Sequence, residues 1–435
     1  MKLRKTNGFP VWQPLKLGAM SAANIASNLL FQWLVLTMLG PGTMSDALFA
    51  GMTLPQLFTT IISSSLTNVL VPMLSDEPRE DQRRDAWTLF TYSAVLFAIF
   101  AIVLILTAGW WVPMIVPGFP AEAKLITVEI TRISLIGIVF TGMSAVQTAM
   151  GFSQHKFIWA DAALLLSNLL AVLLLIFFLP NYGVLAAAWI SVARLLLQTL
   201  LLMPMMGKPT MPDSTRPMIR VACHRLKPIL LGASYYKMDP LLDRYLLSAA
   251  STGSLSLLYM AQQLHSAAIQ IIVKAFAVPA IPQLAAIYKR HDQMEFAVKF
   301  KSTLLIMLTL CVLAAITLWL VGEPLLTWGV AYGKFTTANI HELWVLLLLL
   351  SGLLIGGAMG AFSAGAFYAR GDTSTPTWIG SILFTIAIIL KILMFREYDV
   401  RGLAVACSIY YLSSLCVQWY ILSRCVELKL PRFYK

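Results

Sequence analysis

Long apolar stretches alternate along the chain with short polar or basic segments. Twelve of these stretches reach the roughly 20 residues that one helix needs to cross a bilayer. They lie at residues 17–39, 46–74, 88–116, 125–150, 158–180, 184–206, 229–249, 255–285, 302–322, 342–369, 377–395 and 402–423. The second stretch is the least apolar, because hydroxyl and amide residues dilute it. A helix satisfies its own backbone in lipid, so those side chains are expected to face protein or a water-lined cavity.

The longest polar interruption divides the chain into two halves with six predicted helices each. We therefore expect an N-terminal six-helix lobe at residues 1–207, a basic cytoplasmic linker at 208–228 and a C-terminal six-helix lobe at 229–435. Two equal halves are typical of transporters that bind their substrate between repeats. The predicted fold class is an all-α polytopic membrane protein, with about 12 transmembrane helices in two lobes around a central cavity.

The composition narrows the class of protein further. Of 435 residues, 59% are apolar and 12% are charged, whereas soluble domains average about 45–50% and about 25%. These values argue against a soluble enzyme, a disordered chain, a disulfide-rich secreted scaffold and a nucleic-acid binder. The net charge of +12 has another explanation, because 22 Lys and Arg residues fall on one side of the predicted topology and 4 on the other. That asymmetry predicts that both termini are cytoplasmic.

Signals for catalysis or cofactor binding are missing from the sequence. The five cysteines and five histidines are scattered without metal-ligand spacing, and no nucleotide-binding Walker A sequence occurs. The predicted outside loops are short and poor in carboxylates, which argues against a membrane-embedded polymerase or ligase. We therefore predict a protein that is not an enzyme and has no cofactor or metal, apart from a possible coupling cation, H⁺ or Na⁺.

Polar residues in the first two spans recur at helical spacing. Asn24, Asn28 and Gln32 share one face of the first helix. A second stripe on the next helix includes Gln56 and Thr60 among its hydroxyl and amide residues. Such stripes form either helix–helix hydrogen bonds or a cavity lining that contacts sugar hydroxyls.

Asp46 opens the second helix. It is either an N-terminal cap or a residue that gates the transport pathway.

The seventh span contains two bases and two acids, Lys237, Asp239, Asp243 and Arg244. A charge at the bilayer centre costs about 3 kcal/mol or more on insertion scales. The four residues therefore form either a structural ion-pair cluster or a site for an anionic headgroup or a coupling ion.

The eighth span continues the polar pattern with Gln263, Gln270 and Lys274, whose ammonium is expected to attract a diphosphate as a point charge. Lys391, near the outer end of the eleventh span, is expected to extend its ammonium to the membrane surface.

Several segments resemble the MviN/MurJ family of lipid II flippases, and they occur in the family's order. They are the runs at residues 42–49, 54–57, 71–74, 117–119, 332–336 and 367–376. The resemblance covers most of the chain. It implies the fold of the multidrug/oligosaccharidyl-lipid/polysaccharide exporters. Of the family's functional residues, only the aspartate of its Ser-Asp-Ala pattern carries over, as Asp46.

The sequence also departs from that family. Where its flippases have essential arginines in the first, second and eighth helices, this chain has Phe31-Gln32, Thr59-Thr60 and Gln262-Gln263. The family usually has two further C-terminal helices after the twelfth. The run Asp-Pro-Leu-Leu-Asp-Arg at residues 239–244 instead looks like the corresponding helix of O-antigen and exopolysaccharide flippases.

Together these observations predict a bacterial inner-membrane flippase that works by alternating access. Its expected substrate is a polyprenyl-diphosphate-linked oligosaccharide, with Lys237, Arg244 and Lys274 attracting the diphosphate and the polar stripes solvating the sugars. Asp239 and Asp243 either bind a coupling cation or only neutralise the bases. Expected partners are membrane lipids and the polymerase and glycosyltransferases of the same pathway, around a monomer. Two alternatives stay open: a true lipid II flippase and a cation-coupled multidrug exporter of the same fold.

Overall fold

A computed structural model describes residues 12–75, 78–213, 218, 220–222, 224–226, 235–330 and 332–427. Within these residues the chain is helical and contains no β-strand. The first half has five long helices. They are α1 (Trp12–Leu39), α2 (Thr43–Ser75), α3 (Arg79–Ile115), α4 (Ala121–Ser153) and α5 (Phe157–Leu202), followed by a 3₁₀ turn at Met203–Met206.

The second half begins with a 3₁₀ turn at Tyr236–Met238. Its α-helices are α6 (Asp239–Leu247), α7 (Ser254–Ile272), α8 (Val278–Lys289), α9 (Gln293–Val330), α10 (Thr337–Leu349), α11 (Ser351–Ala369) and α12 (Ser374–Glu427). A π-helical segment, Val273–Ala277, joins α7 to α8 without a break.

Most of these helices match the apolar stretches of the sequence. The stretch at 342–369 is instead divided at Leu350 into α10 and α11, and the stretch at 229–249 lies partly outside the described residues. The helices α5 and α12 each contain two of the predicted spans, which meet at a kink where Gly183 has φ 62° and Asp399 has φ 51°. Among the described residues, nine helices are long and apolar enough to cross a membrane. The prediction of an all-α, multi-pass membrane fold is confirmed.

The proposed boundary at 208–228 lies largely outside the described residues and stays a prediction. Its described residues at 218, 220–222 and 224–226 are helical, and Met218 and Ala222 are buried against α2, α3 and α4.

The buried apolar residues form a different pattern at the two ends of the molecule. We call the end where α1 passes into α2 the distal end, and the end where α2 passes into α3 the proximal end. One large cluster at the distal end combines residues of both halves, from Val35 and Leu48 to Leu258 and Leu343. Toward the proximal end each half has its own cluster, one around Leu70 and the other around Phe362. Among the described residues, the halves therefore share a buried apolar cluster at the distal end and have separate clusters toward the proximal end.

Polar backbone contacts continue this distal seam between the halves. The amide of Lys334 donates to the carbonyl of Thr37 at 2.8 Å, and the amide of Gly118 donates to Ser248 Oγ at 3.0 Å. A Cβ on Gly118 would lie 2.4 Å from the carbonyl oxygen of Ser248, so the approach requires glycine. The two halves are thus held together at backbone distance across the distal end.

Candidate functional site

A central cavity of about 390 Å³ lies between the halves, next to the distal core. Helix α2 contributes one wall and α6 and α7 contribute the other. Its polar lining residues are Thr53, Gln56, Thr60, Lys237, Asp239, Asp243, Arg244, Tyr259, Gln262, Gln263, Ser266, Cys407 and Tyr411. Seven of the residues predicted from the sequence as site residues therefore border one space.

The short helix α6 carries the charged part of this lining. Pro240 lies in the first turn of α6. Backbone N–H groups in the first turn of a helix have no intrahelical acceptor, so a proline, which lacks this group, costs no hydrogen bond there, and its fixed φ favours the helix. The preceding 3₁₀ turn brings in Lys237, which is half-buried. Because Asp239 and Asp243 are four residues apart, both carboxylates leave α6 on the same face.

Those two carboxylates bind Lys391 of α12. Its Nζ lies 2.5 Å from Asp239 Oδ1 and 2.7 Å from Asp243 Oδ1, and the lysine side chain is fully buried. The expectation that Lys391 extends to the membrane surface is therefore wrong. An ammonium between two carboxylates is stabilised more by its partners than by a distant water layer, since both hydrogen bonds are charge-assisted.

Asp243 has further partners on its second oxygen. Gln262 Nε2 donates to Asp243 Oδ2 at 2.8 Å, and the thiol sulfur of Cys407 lies 4.0 Å from the same oxygen. Both oxygens of this buried carboxylate are thus engaged, which fixes its orientation.

Arg244 follows Asp243 directly on α6 and is 2% exposed. Its Nε donates to Thr53 Oγ1 at 3.0 Å, and its guanidinium carbon lies 4.9 Å from the centre of the Tyr259 ring, a cation–π contact. Its Nη1 has no hydrogen-bond partner among the described residues. A buried guanidinium N–H without a partner is costly, so the protein gains from any ligand group that reaches this donor.

Tyr259 connects this arginine to the first half. Its hydroxyl donates to Gln56 Oε1 at 3.2 Å, and its ring stacks on Phe49 with centroids 4.5 Å apart. The second stripe predicted from the sequence thus faces the cavity through Gln56 and Thr60, as the water-lined interpretation of α2 requires.

A second cavity of about 260 Å³ lies along α1, α5, α7 and the π-helical segment. The predicted site residues Asn24, Asn28, Gln32, Gln263, Gln270 and Lys274 line it, together with Asp161, Asn168 and Arg194. Gln263 also borders the first cavity, and a smaller space lined by Asn28, Gln32 and Gln56 connects the two. The polar residues form one continuous tract across the molecule.

Hydrogen bonds organise the wall of the second cavity. Arg194 Nη1 donates to Asn168 Oδ1 at 2.9 Å, and the amide of Asn168 donates to Asn24 Oδ1 at 3.3 Å. Gln32 is 6% exposed and its Oε1 has no partner in the described part of the chain. Besides the charged Asp161 and Arg194, this wall therefore offers neutral acceptors and donors.

Lys274 belongs to this second cavity and not to the one that Lys237 and Arg244 share. It is exposed, and its Nζ donates to Ser21 Oγ of α1 at 2.9 Å. The cations expected to act together on one diphosphate are thus divided between two connected spaces.

Asp46 lies outside both cavities, at the distal seam. Its two carboxylate oxygens accept from the amides of Gly253, at 2.7 Å, and Ser256, at 2.8 Å. These amides open α7, so Asp46 caps a helix of the other half and not its own. The two turns at residues 42–45 and 252–254 meet here.

Sequence reasoning missed several residues that form these walls. The sequence predicts a position at the membrane surface for Lys391, and it predicts no role in the site for Tyr259, Gln262 or Asn168. Tyr259 lies one helical turn before Gln263, and Gln262 lies directly before it. Their proximity to the polar stripe of α7 therefore indicates that they border the cavity. Nothing local indicated the partner of Asp239 and Asp243, because it lies about 150 residues away.

Among the described residues, no group of three or more His, Cys, Asp or Glu side chains is placed to hold a metal ion.

Comparison with known proteins gives the family of this architecture. The family model described as lipid II flippase MurJ matches residues 35–435. A probable lipid II flippase MurJ of Buchnera aphidicola is 21% identical over 393 residues, covering 86% of this chain and 76% of its own. The lipid II flippase MurJ of Burkholderia cenocepacia is 21% identical over 359 residues, covering 78% and 69%.

Solved structures show the same fold. A lipid II flippase MurJ in an inward closed conformation superposes with a TM-score of 0.81 at 16% identity, over 93% of this chain and 87% of the other. An inward-facing multidrug transporter of the MATE family in the MOP superfamily gives 0.79 at 13% identity, over 93% and 95%.

Proposed function

Because the chain belongs to the MurJ family of lipid II flippases, we propose that it moves a polyprenyl-diphosphate-linked oligosaccharide between membrane leaflets by alternating access. Membership of this family makes it a multi-pass membrane transporter and not an enzyme. The substrate we favour is a repeat unit of the exopolysaccharide or O-antigen type. The observation that carries this proposal is Arg244, a buried guanidinium that lines the central cavity with Nη1 unpartnered among the described residues.

Charge supports an anionic substrate. In and directly behind the two cavities, the described residues include five cations, Lys237, Arg244, Lys391, Arg194 and Lys274, against three carboxylates, Asp239, Asp243 and Asp161. A diphosphate that enters this tract gains from the excess of positive charge in a partly desolvated space. A cationic drug would be repelled by it, which counts against the multidrug alternative.

The remaining lining suits a saccharide. Amide and hydroxyl groups such as Gln32, Asn28, Gln56 and Thr60 present donors and acceptors along the tract. Sugars are recognised by many such neutral hydrogen bonds, so this wall takes the carbohydrate while the polyprenyl tail stays in lipid.

The arginines that lipid II flippases of the family have in the first, second and eighth helices are absent from this chain. Their absence favours a substrate related to lipid II over lipid II itself. At those positions Gln32, Thr60, Gln262 and Gln263 border the cavities as neutral side chains. The diphosphate would then be bound by Lys237 and Arg244 on α6, with Lys274 at the second cavity.

We place the protein in the bacterial inner membrane with both termini cytoplasmic, on the 22-to-4 distribution of basic residues. In that orientation the proximal end faces the cytoplasm. The distal seam closes the cavity toward the outside, as expected for a state that loads substrate from the inner leaflet.

The test is flipping of purified lipid-linked saccharides in proteoliposomes, with an undecaprenyl-diphosphate oligosaccharide and lipid II as the two substrates. Lys237→Ala/Arg244→Ala is expected to lose flipping of the oligosaccharide. Lys289→Ala/Arg290→Ala removes the same charge from an exposed helix end and serves as the matched control. A normally folded double variant at the cavity that still flips the oligosaccharide would overturn the site assignment.

The competing functions give different phenotypes on loss of the protein. Loss of a polysaccharide flippase abolishes the surface polymer and leaves lipid-linked repeat units in the cell. Loss of a lipid II flippase lyses the cell, and loss of a multidrug exporter raises drug sensitivity with no accumulated lipid-linked sugar.

A further inference from the structure

Lys391 fills the space between Asp239 and Asp243, the carboxylates that are the candidates for a coupling-ion site. We propose that its ammonium is a built-in cation, and that neither Na⁺ nor another metal ion binds between these carboxylates. Transport through the proposed flippase cavity would then proceed without Na⁺. The part of this inference that concerns transport rests on the proposed function, whereas the part that concerns ion binding does not.

The ammonium of Lys391 occupies the position between the two acids where a bridging metal ion would lie. The Nζ atom of Lys391 is within 2.7 Å of one oxygen of each carboxylate. The second oxygen of Asp243 accepts from Gln262. A Na⁺ ion in this place would have to displace an ammonium that the chain itself holds at very high local concentration.

Charge balance leads to the same result. Asp239 and Asp243 carry two negative charges, and Lys391 with the adjoining buried Arg244 carries two positive charges. The cluster is formally neutral without any ion. Adding Na⁺ would leave one uncompensated positive charge in a buried site, which is strongly unfavourable.

Burial separates Lys391 from the flexible surface lysines of the chain. Its side chain is 0% exposed and reaches α6 from the first arm of α12. On α12, Phe384 and Ala387 precede the kink at Asp399 and Tyr410 follows it. These three residues form a buried cluster, which packs the two arms of the helix against each other. The ammonium is thus fixed in place, as a structural ion would be, and it ties α6 to α12.

The experiment is thermal unfolding of the purified full-length protein in NaCl and in choline chloride at equal ionic strength. The wild type is expected to unfold at the same temperature in both salts. Lys391→Met keeps the apolar stem and removes the ammonium, so the vacated carboxylates should take up Na⁺ and the melting temperature should become higher in NaCl than in choline chloride. Lys237→Met, in the same cavity but without a carboxylate bridge among the described contacts, should stay insensitive to Na⁺.

A Na⁺-dependent rise in the melting temperature of the wild type would overturn the proposal, and this result needs no variant. So would a Lys391→Met protein that folds as stably as the wild type and ignores Na⁺. If Lys391→Met does not fold, Asp239→Asn/Asp243→Asn/Lys391→Met removes all three charges. Recovery of folding by this triple variant supports the bridge, and continued failure to fold overturns it.

Flipping measured in the same two salts separates this inference from the proposed function. Equal rates in both salts support a transport cycle without Na⁺, and a requirement for Na⁺ contradicts it. Absence of flipping in both salts counts against the proposed function and leaves the melting result as the measure of ion binding.

Discussion

The two faces of the central tract use different chemistry. The face built by the first half is mostly neutral: Asn28, Gln32 and Gln56 are amides, and its charged lining residues are Asp161 and Arg194, which is hydrogen-bonded to Asn168. The face built by the second half is charged, with two acids and two bases within eight residues on and before α6. One face therefore offers many weak, interchangeable hydrogen bonds, and the other offers a few strong ones.

This difference follows from how each face keeps its polar groups stable in a membrane. On the first face, amides satisfy their neighbours in short chains: Asn168 donates to Asn24 and accepts from Arg194. Loss of one neutral amide is expected to carry a modest cost. Buried charges need a counter-charge at contact distance, which the second half supplies from a separate helix through Lys391. Specificity for charge is thus concentrated in a small, rigid part of the second half.

The largest expected effect is on the free energy of unfolding, and it comes from a substitution in the charged face. Lys391→Met leaves two buried carboxylates without their ammonium, and loss of one member of a buried ion pair costs about 3–5 kcal/mol. Asn168→Leu, a buried change on the neutral face, should cost about 1–3 kcal/mol, since it removes hydrogen-bond partners without leaving a carboxylate pair. Chemical unfolding of both variants in detergent measures the difference. Equal losses would mean that the two faces do not differ in this way.

A second prediction concerns the rate of transport and compares one polar side chain from each face. Arg244→Gln should lower flipping by at least about tenfold, since hydrogen bonds to charged groups contribute about 1.5–3 kcal/mol. Gln32→Leu should lower it only about two- to tenfold, because neutral hydrogen bonds contribute about 0.5–1.5 kcal/mol and neighbouring amides substitute. Initial flipping rates in proteoliposomes at matched protein content test the order. A greater loss for Gln32→Leu would reverse the assignment of the two faces.

The third prediction concerns a substitution that weakens the distal seam between the two halves. Asp46→Ala frees the amides of Gly253 and Ser256, which donate to no other acceptor in the described contacts, at an expected cost of about 1–2 kcal/mol. Because this cap joins the halves, a cysteine introduced at Ser248 should become more reactive toward a membrane-impermeant thiol reagent. Asp372→Ala removes a cap within one half, where Asp372 accepts from Thr375 and Ser374, and should leave that labelling unchanged. Equal labelling of both variants would argue against Asp46 as a contact that closes the distal end.

The smallest effect is a pH dependence at the control position. Hydrogen bonds from Thr375 and Ser374 lower the pKa of Asp372 below its ordinary value. A carboxyl whose pKa is lower in the folded state stabilises the fold above its unfolded pKa, and this contribution is lost as the pH falls through the folded pKa. The melting temperature of Asp372→Asn relative to the wild type should therefore converge toward zero difference in acid. A difference that grows on acidification would contradict the role of this cap.

The site was partly predictable because helical spacing reports which residues share a face. Asn24, Asn28 and Gln32 line one cavity at four-residue intervals, and Asp239 and Asp243 leave one face of α6, as the spacing indicated. The same rule gives no information about the helix opposite. Lys391 sits in an apolar stretch near a predicted helix end, where extension to the membrane surface is the ordinary solution, and only the packing of α12 on α6 makes the bridge possible.

The sequence by itself determined the membrane class and the all-helical fold, because bilayer thickness and backbone hydrogen bonding leave few other solutions for long apolar stretches. The tertiary structure decided which side chains meet across the halves: Lys391 with Asp239 and Asp243, Asp46 with the start of α7, and Arg244 with Thr53. These contacts join residues that lie roughly 150 to 210 positions apart. Helical periodicity extends over a few turns of one helix, so the choice of partner belongs to the packing of helices against each other.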